Sequence, residues 1–462
     1  MFRLARIHLS KWLLMLAIAE FAAIFFSFYV GLFFSWVEFG WRVGEIVGAL
    51  PSALFYAAVL QTTIFALGGY DRANIRKYVE SSIRIFVAFI VALGVLTILF
   101  YSLPFLTIWR SIIISAMFVA FCLILLVRLL ATHIVDLELL KRRIVVIGVG
   151  EQAARIEHLA QSSKVTGFIC LGYIDYGGTT ALVPSSKIIP RVNSLSDLVR
   201  KENIDEVVVA LEDRRQSLPS QDLSDCKLKG VGIVDYMTFF SCETGRLDLS
   251  MIRPSWFVFS NGFRGNSSYR IFKRAVDIIT SLILLVLTWP LVVLAALAIR
   301  LSTPGPILLR QTRVGMNCEP FVLLKFRTMC VDAEQDGIPR WADQHDDRIT
   351  SVGAFLRRTR IDEIPQLLNV LRGSMSFVGP RPERPYFVKQ LTREIPYYDH
   401  RHALKPGLTG WAQLCHHYAA SIEDAKKKLE YDLYYLTHCG FFLDFLIILQ
   451  TVRVVIWPNG VR

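Results

Sequence analysis

The sequence predicts an α/β membrane protein with three parts: a four-helix transmembrane bundle, a Rossmann-like parallel α/β module, and a mainly helical C-terminal domain that carries a re-entrant membrane hairpin. Three observations predict this fold class. Four long apolar runs fill residues 1–130, short β-branched runs alternate with helical segments in the middle, and a proline interrupts one further apolar run. Of the 462 residues, 53% are hydrophobic, which is too apolar for an ordinary soluble protein.

The four apolar runs are expected to form the transmembrane bundle, residues 1–135. Each run provides roughly the ~20 residues that a helix needs to cross a hydrocarbon core of ~30 Å. Lysine and arginine cluster before the first run, between the second and the third, and after the fourth, so the positive-inside rule predicts that both ends of the bundle are cytoplasmic. The runs cover residues 12–34, 46–67, 83–103 and 108–130.

Residues 141–250 show the alternation of strands and helices that indicates a parallel sheet. The first strand ends in Gly148-x-Gly150-x-x-Ala153, and Asp175 follows the second, a pattern that resembles a dinucleotide fingerprint. Two interpretations stay open: the glycines serve only the close packing of strand and helix, or the loop binds a nucleotide or sugar nucleotide. The predicted strands lie in RRIVVIGVG, FICLGYID, DEVVVAL and VGIVDY.

The charge and the cysteines argue against several other classes. A net charge of +12 on so apolar a chain is typical of a membrane protein whose cytoplasmic side faces anions. The sequence has no zinc-finger, RRM or basic-zipper pattern, so nucleic acid is not expected as a partner. The eight cysteines include no C-x-x-C pair, which argues against a metal site or a disulfide framework and fits a reducing compartment.

The C-terminal domain, residues 270–462, follows a linker over 251–269 and opens with the apolar segment 276–301. Basic residues flank this segment on both sides, as expected when both of its ends are cytoplasmic. Pro290 lies near its centre, where a proline costs ~3 kcal/mol in a straight helix, and each half is only ~15–18 Å long. We therefore predict a re-entrant hairpin bent near Pro290; the alternative is an ordinary kinked fifth span.

The region after this segment is rich in side chains that bind phosphate. Lys325 and Arg327 are two residues apart on a strand-like run, so they are expected to face the same side. Arginine suits bidentate phosphate binding, and prolines on both sides of Arg381 stiffen the backbone beneath its guanidinium. The candidate substrate- and phosphate-binding residues are Arg327, Arg348, Arg358, Gln366 and Arg381.

Two adjacent carboxylates, Asp362 and Glu363, precede a short predicted helix. Pro365 is favoured at the first position of a helix, Ile364 is expected to avoid helical angles, and Gly373 is expected to end the helix. The carboxylates would lie at the positive end of that helix, which stabilises anions. Beside so many arginines they suggest one ionised nucleophile and one Mg²⁺ ligand. The alternative is a solvated capping segment paired with arginines.

Two other functions are compatible with parts of the sequence. Tyr269-x-x-x-Lys273 has the spacing of the catalytic pair in sugar-nucleotide dehydratases, which would make the chain a membrane-tethered, NAD-dependent enzyme. Lys273 leads directly into an apolar run, however, and this leaves no room for the rest of such a site. The third hypothesis is a non-catalytic membrane scaffold that senses nucleotides through the α/β module.

Several motifs occur together and in order over residues 270–462. They are KRAVDIITSLILLVL, GPILLRQTRVG, LLKFRTM, DDRITSVGAFLRRTRIDEIPQLLNVLRGSMSFVGPRPE and KPGLTGWAQ. Together they resemble the bacterial sugar transferase family, the monotopic polyprenyl-phosphate phosphoglycosyl transferases. With its four spans and α/β module, the chain resembles the long members that start exopolysaccharide or O-antigen assembly.

The resemblance implies the transfer of a sugar 1-phosphate, glucose or galactose 1-phosphate, from a UDP-sugar to undecaprenyl phosphate with release of UMP. It implies that Asp362 forms a covalent phosphosugar adduct, that Glu363 helps hold Mg²⁺ (or Mn²⁺), that Lys325 lies near the nucleophile and that Arg381 binds phosphate. It also implies a multi-pass protein of the bacterial inner membrane, in contact with membrane lipids, with its catalytic domain on the cytoplasmic face. A homodimer is a further expectation.

Overall fold

The computed structural model divides into two compact units, Met1–Glu243 and Thr244–Arg462. It describes residues 3–4, 7–8, 11–39, 49–70, 78–102, 110–134, 141–162, 167–176, 180–190, 194–211, 218–252, 254–259, 267–330, 348–416 and 421–456.

The first unit begins with a short hairpin and four apolar helices that pack around a common core. Stretches of α1, α3 and α4 are long and apolar enough to cross a membrane. The second helix has 17 residues, about 26 Å, with Pro51 in its first turn, and residues 46–48 of the run predicted over 46–67 lie outside the described residues. The elements are β1 Arg3–Leu4, β2 Ile7–His8, α1 Lys11–Phe39, α2 Leu50–Ala66, α3 Tyr78–Ser102 and α4 Arg110–Ile134.

A buried polar cluster joins the helices of this bundle. The guanidinium of Arg128 on α4 donates to the carboxylate of Glu20 on α1 at 2.7 Å and to the hydroxyl of Ser81 on α3 at 2.6 Å. Tyr70, which follows α2, donates to the same carboxylate. Arg128 is 3% exposed and Glu20 is fully buried, so each charge depends on the other for its stability.

The α/β part of this unit has the predicted parallel sheet. Its strand order, β5-β4-β3-β6-β7, is the doubly wound order of Rossmann-like folds, with all neighbours parallel. All four predicted strands are confirmed, whereas the two-residue β5 at the edge was not predicted. The elements are β3 Arg142–Ile147, α5 Glu151–Ser162, β4 Phe168–Ile174, β5 Ile188–Ile189, α6 Leu195–Lys201, β6 Glu206–Val209, α7 Ser220–Leu228, β7 Gly232–Asp235 and α8 Tyr236–Thr244.

The second unit is mainly helical, with an antiparallel hairpin, β8–β9, and a short parallel pair, β10–β11. Short 3-10 turns at Met316–Cys318, Ile361–Glu363 and Tyr398–Ala403 connect its elements. The elements are α9 Pro254–Phe259, α10 Ser267–Ser302, β8 Leu308–Val314, β9 Pro320–Phe326, α11 Ser351–Arg358, α12 Gln366–Arg372, β10 Ser376–Val378, α13 Pro385–Glu394, β11 Gly407–Thr409, α14 Trp411–Cys415, α15 Ile422–His438 and α16 Phe441–Ile456.

The boundary between the units differs from the predicted one at residue 250. Residues 244–252 belong to the second unit, because Arg246 forms an ion pair of 2.9 Å with Glu430 on α15 and the backbone N–H of Leu249 also bonds this carboxylate. The predicted linker over 251–269 is partly helical, since it contains α9 and the start of α10. Its residues 253 and 260–266 lie outside the described residues.

Helix α10 contains the apolar segment 276–301 and continues through Pro290 as one helix, so the predicted hairpin is not two separate helices. The hydroxyl of Thr288 donates to the carbonyl of Leu284 at 2.7 Å, one turn before the proline. Most apolar side chains along the middle of α10 are exposed, and only 11% of its most apolar window is buried in the protein. Such a surface is suited to lipid rather than to water. The bend and the re-entrant course stay predictions.

Both ends of α10 are fixed within the second unit. Near its start, Arg274 donates to the carbonyl of Val370 at 2.6 Å, and Asp277 accepts the N–H of Phe377 at 2.9 Å. Near its end, Ala295 and Ile299 are buried in a cluster with residues of β9 and α11. The two ends therefore rest on the same unit as the carboxylate pair.

Candidate active site

Asp362 and Glu363 lie in the 3-10 turn Ile361–Glu363, which runs directly into α12. The predicted helix is confirmed: Pro365 caps its start, and Gly373 ends it in the left-handed conformation (φ 87°), where its N–H bonds the last carbonyls. The expectation for Ile364 was wrong, because this residue has helical angles (φ −54°, ψ −39°). Its N–H donates to the carbonyl of Ile361 at 3.2 Å, so the turn and the helix stack without an extended residue between them.

The two carboxylates occupy opposite environments. Asp362 is 8% exposed, and within the described residues its Oδ1 has no hydrogen-bond partner. Burial first, and then the neighbouring charge of Glu363, raise the pKa of Asp362 to about 6. Glu363 accepts hydrogen bonds from Arg381 at 2.7 Å and from Arg360 at 3.3 Å, both on Oε1. Burial alone would raise the pKa of Glu363, but the two guanidinium charges outweigh it and lower this pKa.

Lys325 on β9 lies in the electrostatic field of Asp362. Burial lowers its pKa to about 8, and the positive charges of Arg313 and Arg357 act in the same direction, while Asp362 opposes them. So many cations around one carboxylate pair would repel one another if no further anion were bound. The cluster is therefore electrostatically prepared for a ligand that carries several negative charges.

The backbone at Arg381 is held from two sides. Arg401 donates to the carbonyl of Arg381 at 3.0 Å and pairs with Asp432 at 2.8 Å, and both of these side chains are buried. On the other side, Arg313 of β8 donates to the carbonyl of Pro382 at 3.0 Å. A fixed backbone holds the guanidinium of Arg381 in one orientation against Glu363.

The structure does not bring all the predicted phosphate-binding residues to this pair. Arg327 follows the end of β9 at Phe326, is 6% exposed and donates to the carbonyls of Thr303 and Pro304, both at 2.8 Å. These bonds indicate a structural role at the end of α10. Arg358 is exposed on α11, Arg348 is half-buried at the edge of the undescribed residues 331–347, and Gln366 is buried in the first turn of α12.

Other arginines of the same stretch reach the site instead. Arg360 contacts Glu363 because it adopts a left-handed conformation (φ 59°) that turns the chain after α11. Arg357 donates to the hydroxyl of Thr328 at 2.9 Å and lies close enough to Lys325 to lower its pKa. The motif RRTR contains both arginines. Nothing in the sequence predicts the left-handed conformation of Arg360, which brings this arginine to the site.

Gly148 of the α/β module is required for close packing. Gly148 has φ 119°, and a Cβ atom there would lie 2.3 Å from the carbonyl oxygen of Ala210, so only glycine allows β3 and the end of β6 to approach. Gly150 is buried. Asp175 follows β4, as predicted. These observations support the packing interpretation, and nucleotide binding by this loop stays a prediction.

The residues of the predicted dehydratase pair both bind one carboxylate. The hydroxyl of Tyr269 and the ammonium of Lys273 each donate to Oδ2 of Asp444 at 2.7 Å. A tyrosine that donates to a carboxylate keeps its proton and does not serve as a base. The pair therefore fixes the start of α10 against α16.

A divalent cation fits the carboxylate pair. The hydrogen bonds that Glu363 accepts from Arg381 and Arg360 both use Oε1 rather than Oε2, so Oε2 is the carboxylate oxygen that could bind a cation. One or two carboxylates, completed by phosphate oxygens and water, is the environment that Mg²⁺ prefers.

Fold and site together define a membrane protein with an acidic pair set among cations, an arrangement suited to phosphate groups. Residues 268–458 match the model of the family described as bacterial sugar transferase, and residues 65–217 match one described as CoA-binding domain.

Three relatives have names that state an activity. The chain is 38% identical over 240 residues to a UDP-N-acetylgalactosamine-undecaprenyl-phosphate N-acetylgalactosaminephosphotransferase of Aeromonas hydrophila (52% of this chain, 56% of the relative). It is also similar to two UDP-glucose:undecaprenyl-phosphate glucose-1-phosphate transferases. The one from Escherichia coli is 44% identical over 185 residues (40% of each chain). The one from Xanthomonas campestris is 30% identical over 337 residues (71% of this chain, 68% of the relative).

The chain belongs to the bacterial sugar transferase family. The match to the Xanthomonas protein extends over more than two thirds of both chains. The matches to the other two relatives span 56% and 40% of their lengths, about half.

Proposed function

We propose that this protein transfers a sugar 1-phosphate, glucose or galactose 1-phosphate, from a UDP-sugar to undecaprenyl phosphate and releases UMP, as the first membrane step of exopolysaccharide or O-antigen assembly. The observation that carries the proposal is the divided carboxylate pair: a buried Asp362 with a raised pKa beside a Glu363 held by two arginines. Neighbouring groups with pKa values pushed apart are typical of catalytic sites.

In the first step, a carboxylate oxygen of Asp362 attacks the β-phosphorus of the UDP-sugar. A bond forms between this oxygen and phosphorus, the bond from phosphorus to the bridging oxygen breaks, and UMP leaves with the electron pair. The sugar phosphate stays on Asp362 as an acyl phosphate. Because Oδ1 has no partner to release among the described residues, the attack needs no hydrogen bond at this oxygen to break.

In the second step, an oxygen of undecaprenyl phosphate attacks the same phosphorus, and the bond to Asp362 breaks. The carboxylate is restored, and the product is the lipid diphosphate sugar. Each step brings one anion to another, so positive charge must offset the repulsion. Lys325 and Arg381 supply it, since both lie in the electrostatic environment of Asp362.

Mg²⁺ (or Mn²⁺) is the proposed cofactor, held by Glu363 through the oxygen that the arginines do not bond. When bound, it supplies positive charge that neutralises the diphosphate. The arginines contribute separately, because Arg381 and Arg360 keep Glu363 ionised and oriented.

We also propose that α10 is re-entrant and keeps the site at the cytoplasmic surface of the bacterial inner membrane. Arg274 contacts Val370, and Ile361 packs against the buried cluster that contains Ala295 and Ile299. Residues 361–370 form one turn and the start of a helix, and at up to ~2 Å per residue they extend over roughly 18 Å at most. A hydrocarbon core is ~30 Å thick, so a segment this short supports placing both ends of α10 on the same face.

The assay for the proposed function is UMP release by the purified full chain with undecaprenyl phosphate, Mg²⁺ and a panel of UDP-sugars. We expect release with one sugar class, and a phosphosugar adduct on the peptide containing Asp362 when the lipid is withheld. Asp362→Asn should abolish adduct and product. Asp225→Asn, an exposed change on α7, is the matched control.

Three results would count against the proposal. If no UDP-sugar of the panel yields UMP, the proposed reaction is wrong. If Asp362→Asn still turns over substrate, the covalent step through Asp362 is wrong. NAD-dependent conversion of a UDP-sugar without lipid would favour the dehydratase. The course of α10 is tested separately with an impermeant maleimide on Arg270→Cys and Leu301→Cys, both exposed positions. Labelling from opposite faces would contradict the re-entrant helix.

A further inference from the structure

Three side chains outside the carboxylate pair converge at one place in the second unit. Cys318, Asp399 and His402 each bring one potential ligand atom to within 4.8 Å of the others. Cys318 lies at the tip of the β8–β9 hairpin, whereas Asp399 and His402 lie in the 3-10 turn Tyr398–Ala403, about 80 residues later. The fold, not the sequence spacing, brings them together.

The turn that presents Cys318 is one in which cysteine is unusual. The N–H of Glu319 donates to the carbonyl of Met316 at 3.1 Å, and the two residues between them are left-handed, Asn317 at φ 55° and Cys318 at φ 62°. Both central residues of such a turn require positive φ, and the second is normally glycine. A cysteine here places an exposed thiol at the end of a rigid hairpin.

His402 has one ring nitrogen, Nε2, that is not hydrogen-bonded by any of the described residues. The side chain is 6% exposed. A buried imidazole nitrogen without a hydrogen-bond partner among the described residues is a suitable donor to a metal ion.

We propose that Cys318, Asp399 and His402 form a site for a zinc-class divalent cation, separate from the carboxylate pair. Sulfur, imidazole nitrogen and carboxylate oxygen together are ligands of Zn²⁺, and a water completes four-coordination. The thiol loses its proton to solvent when the metal–sulfur bond forms, so binding releases one proton. Mg²⁺, which prefers oxygen alone, is not a competitor for this site.

The bound metal would fix the β8–β9 hairpin to the turn Tyr398–Ala403. Strand β9 of that hairpin carries Lys325, and Arg401 in the turn holds the backbone of Arg381. A cross-link between these two elements stabilises the positions of both cationic side chains. The site is therefore structural, and it does not depend on which sugar the protein transfers or on whether it transfers one.

The test is a Co²⁺ titration of the tag-free full chain in detergent, after chelator treatment and with a phosphine reductant. Wild type should show a thiolate-to-cobalt charge-transfer band that saturates near one equivalent and disappears when Zn²⁺, but not Mg²⁺, is added. Cys318→Ser should lose the band. Cys330→Ser, which removes another exposed cysteine of the second unit, should keep it.

A second variant and a second measurement distinguish loss of the metal site from misfolding of Cys318→Ser. Asp399→Asn alters an exposed residue and keeps the thiol, so the band should survive with affinity at least roughly tenfold lower. Zn²⁺ should also raise the melting temperature of wild type and of Cys330→Ser but not of Cys318→Ser. The proposal is overturned by a missing band in wild type, by an unchanged band in Cys318→Ser, or by displacement with Mg²⁺.

Discussion

Replacing Asp362 by asparagine should make the protein more stable than wild type as the pH rises, although it removes the proposed nucleophile. The pKa of Asp362 is raised from 3.8 to about 6, because the folded state buries the carboxylate beside Glu363. Ionised Asp362 therefore opposes folding. Asparagine has nearly the same shape and never ionises, so the variant escapes this penalty.

The size and sign of the effect follow from linkage. Below pH 3.8 the carboxyl group is protonated in both states and opposes nothing. As the pH rises to about 6 the unfolded state ionises first, and the folded state loses stability. The interval of about 2.2 pH units, at about 1.4 kcal/mol each, gives about 3 kcal/mol at neutral pH. The buried amide of asparagine costs roughly 1–3 kcal/mol, but this cost is the same at every pH.

The pH dependence is thus the decisive measurement. Thermal unfolding of wild type and Asp362→Asn is compared between pH 4 and 7.5, with Asp225→Asn as the exposed control. The variant should gain about 2.4 kcal/mol relative to wild type across this range, since a small part of the effect accrues below pH 4; this corresponds to roughly 5–10 °C for a unit of this size. A difference that stays constant with pH, or a wild type that gains on the variant as pH rises, would show that the carboxylate is not destabilised by its site.

Three further results are expected. UMP release should rise as the pH passes about 6, where Asp362 ionises, and fall above about 8, where Lys325 loses its proton. In Lys325→Arg, the fall of UMP release at alkaline pH should move to higher pH, while the rise near pH 6 stays in place. If the alkaline fall does not move, Lys325 is not the group that causes it. Arg327→Gln should lower the unfolding free energy by about 2–4 kcal/mol, because buried carbonyls lose charged donors, and should leave KM for the UDP-sugar unchanged. A raised KM at unchanged stability would instead indicate phosphate binding. Arg128→Met should destabilise the protein by about 3–5 kcal/mol because Glu20 is left as an unpaired buried charge, whereas combining it with Glu20→Leu should restore much of the loss; equal losses in thermal unfolding would contradict the pairing.

Features governed by local chemistry were predictable from the sequence. Pro365 and Gly373 fix the two ends of α12 through constraints on their own backbone angles, and the structure agrees with both. The strands of the α/β module were predictable for a related reason, since β-branched runs bounded by turns suit buried parallel strands. The apolar runs likewise correspond to helices α1 to α4 and α10.

Features that depend on distant partners could not be predicted. Residues 244–252 continue the α/β module in sequence, yet Arg246 and Leu249 both bond Glu430, which is 184 and 181 positions away. Arg327 was expected to accompany Lys325 because side chains two apart share a strand face, but it donates to the carbonyls of Thr303 and Pro304 after α10. The cluster around Cys318 and His402 is a third example, because no spacing rule connects a hairpin tip to a turn 80 residues later.

Distant partners also explain why the adjacent residues Asp362 and Glu363 have different environments. Asp362 and Glu363 are adjacent, so their difference in pKa cannot come from sequence distance to any charge; it comes from the directions in which the turn sends them. The left-handed Arg360 and the fixed backbone of Arg381 give Glu363 two guanidinium partners, while Asp362 receives burial without a hydrogen bond at Oδ1 among the described residues. Exchanging the two residues, as Asp362→Glu with Glu363→Asp, keeps the charge and composition. It should abolish the proposed reaction, because the turn places the first residue as the nucleophile and the second against the arginines, and a glutamate and an aspartate differ in length at those positions.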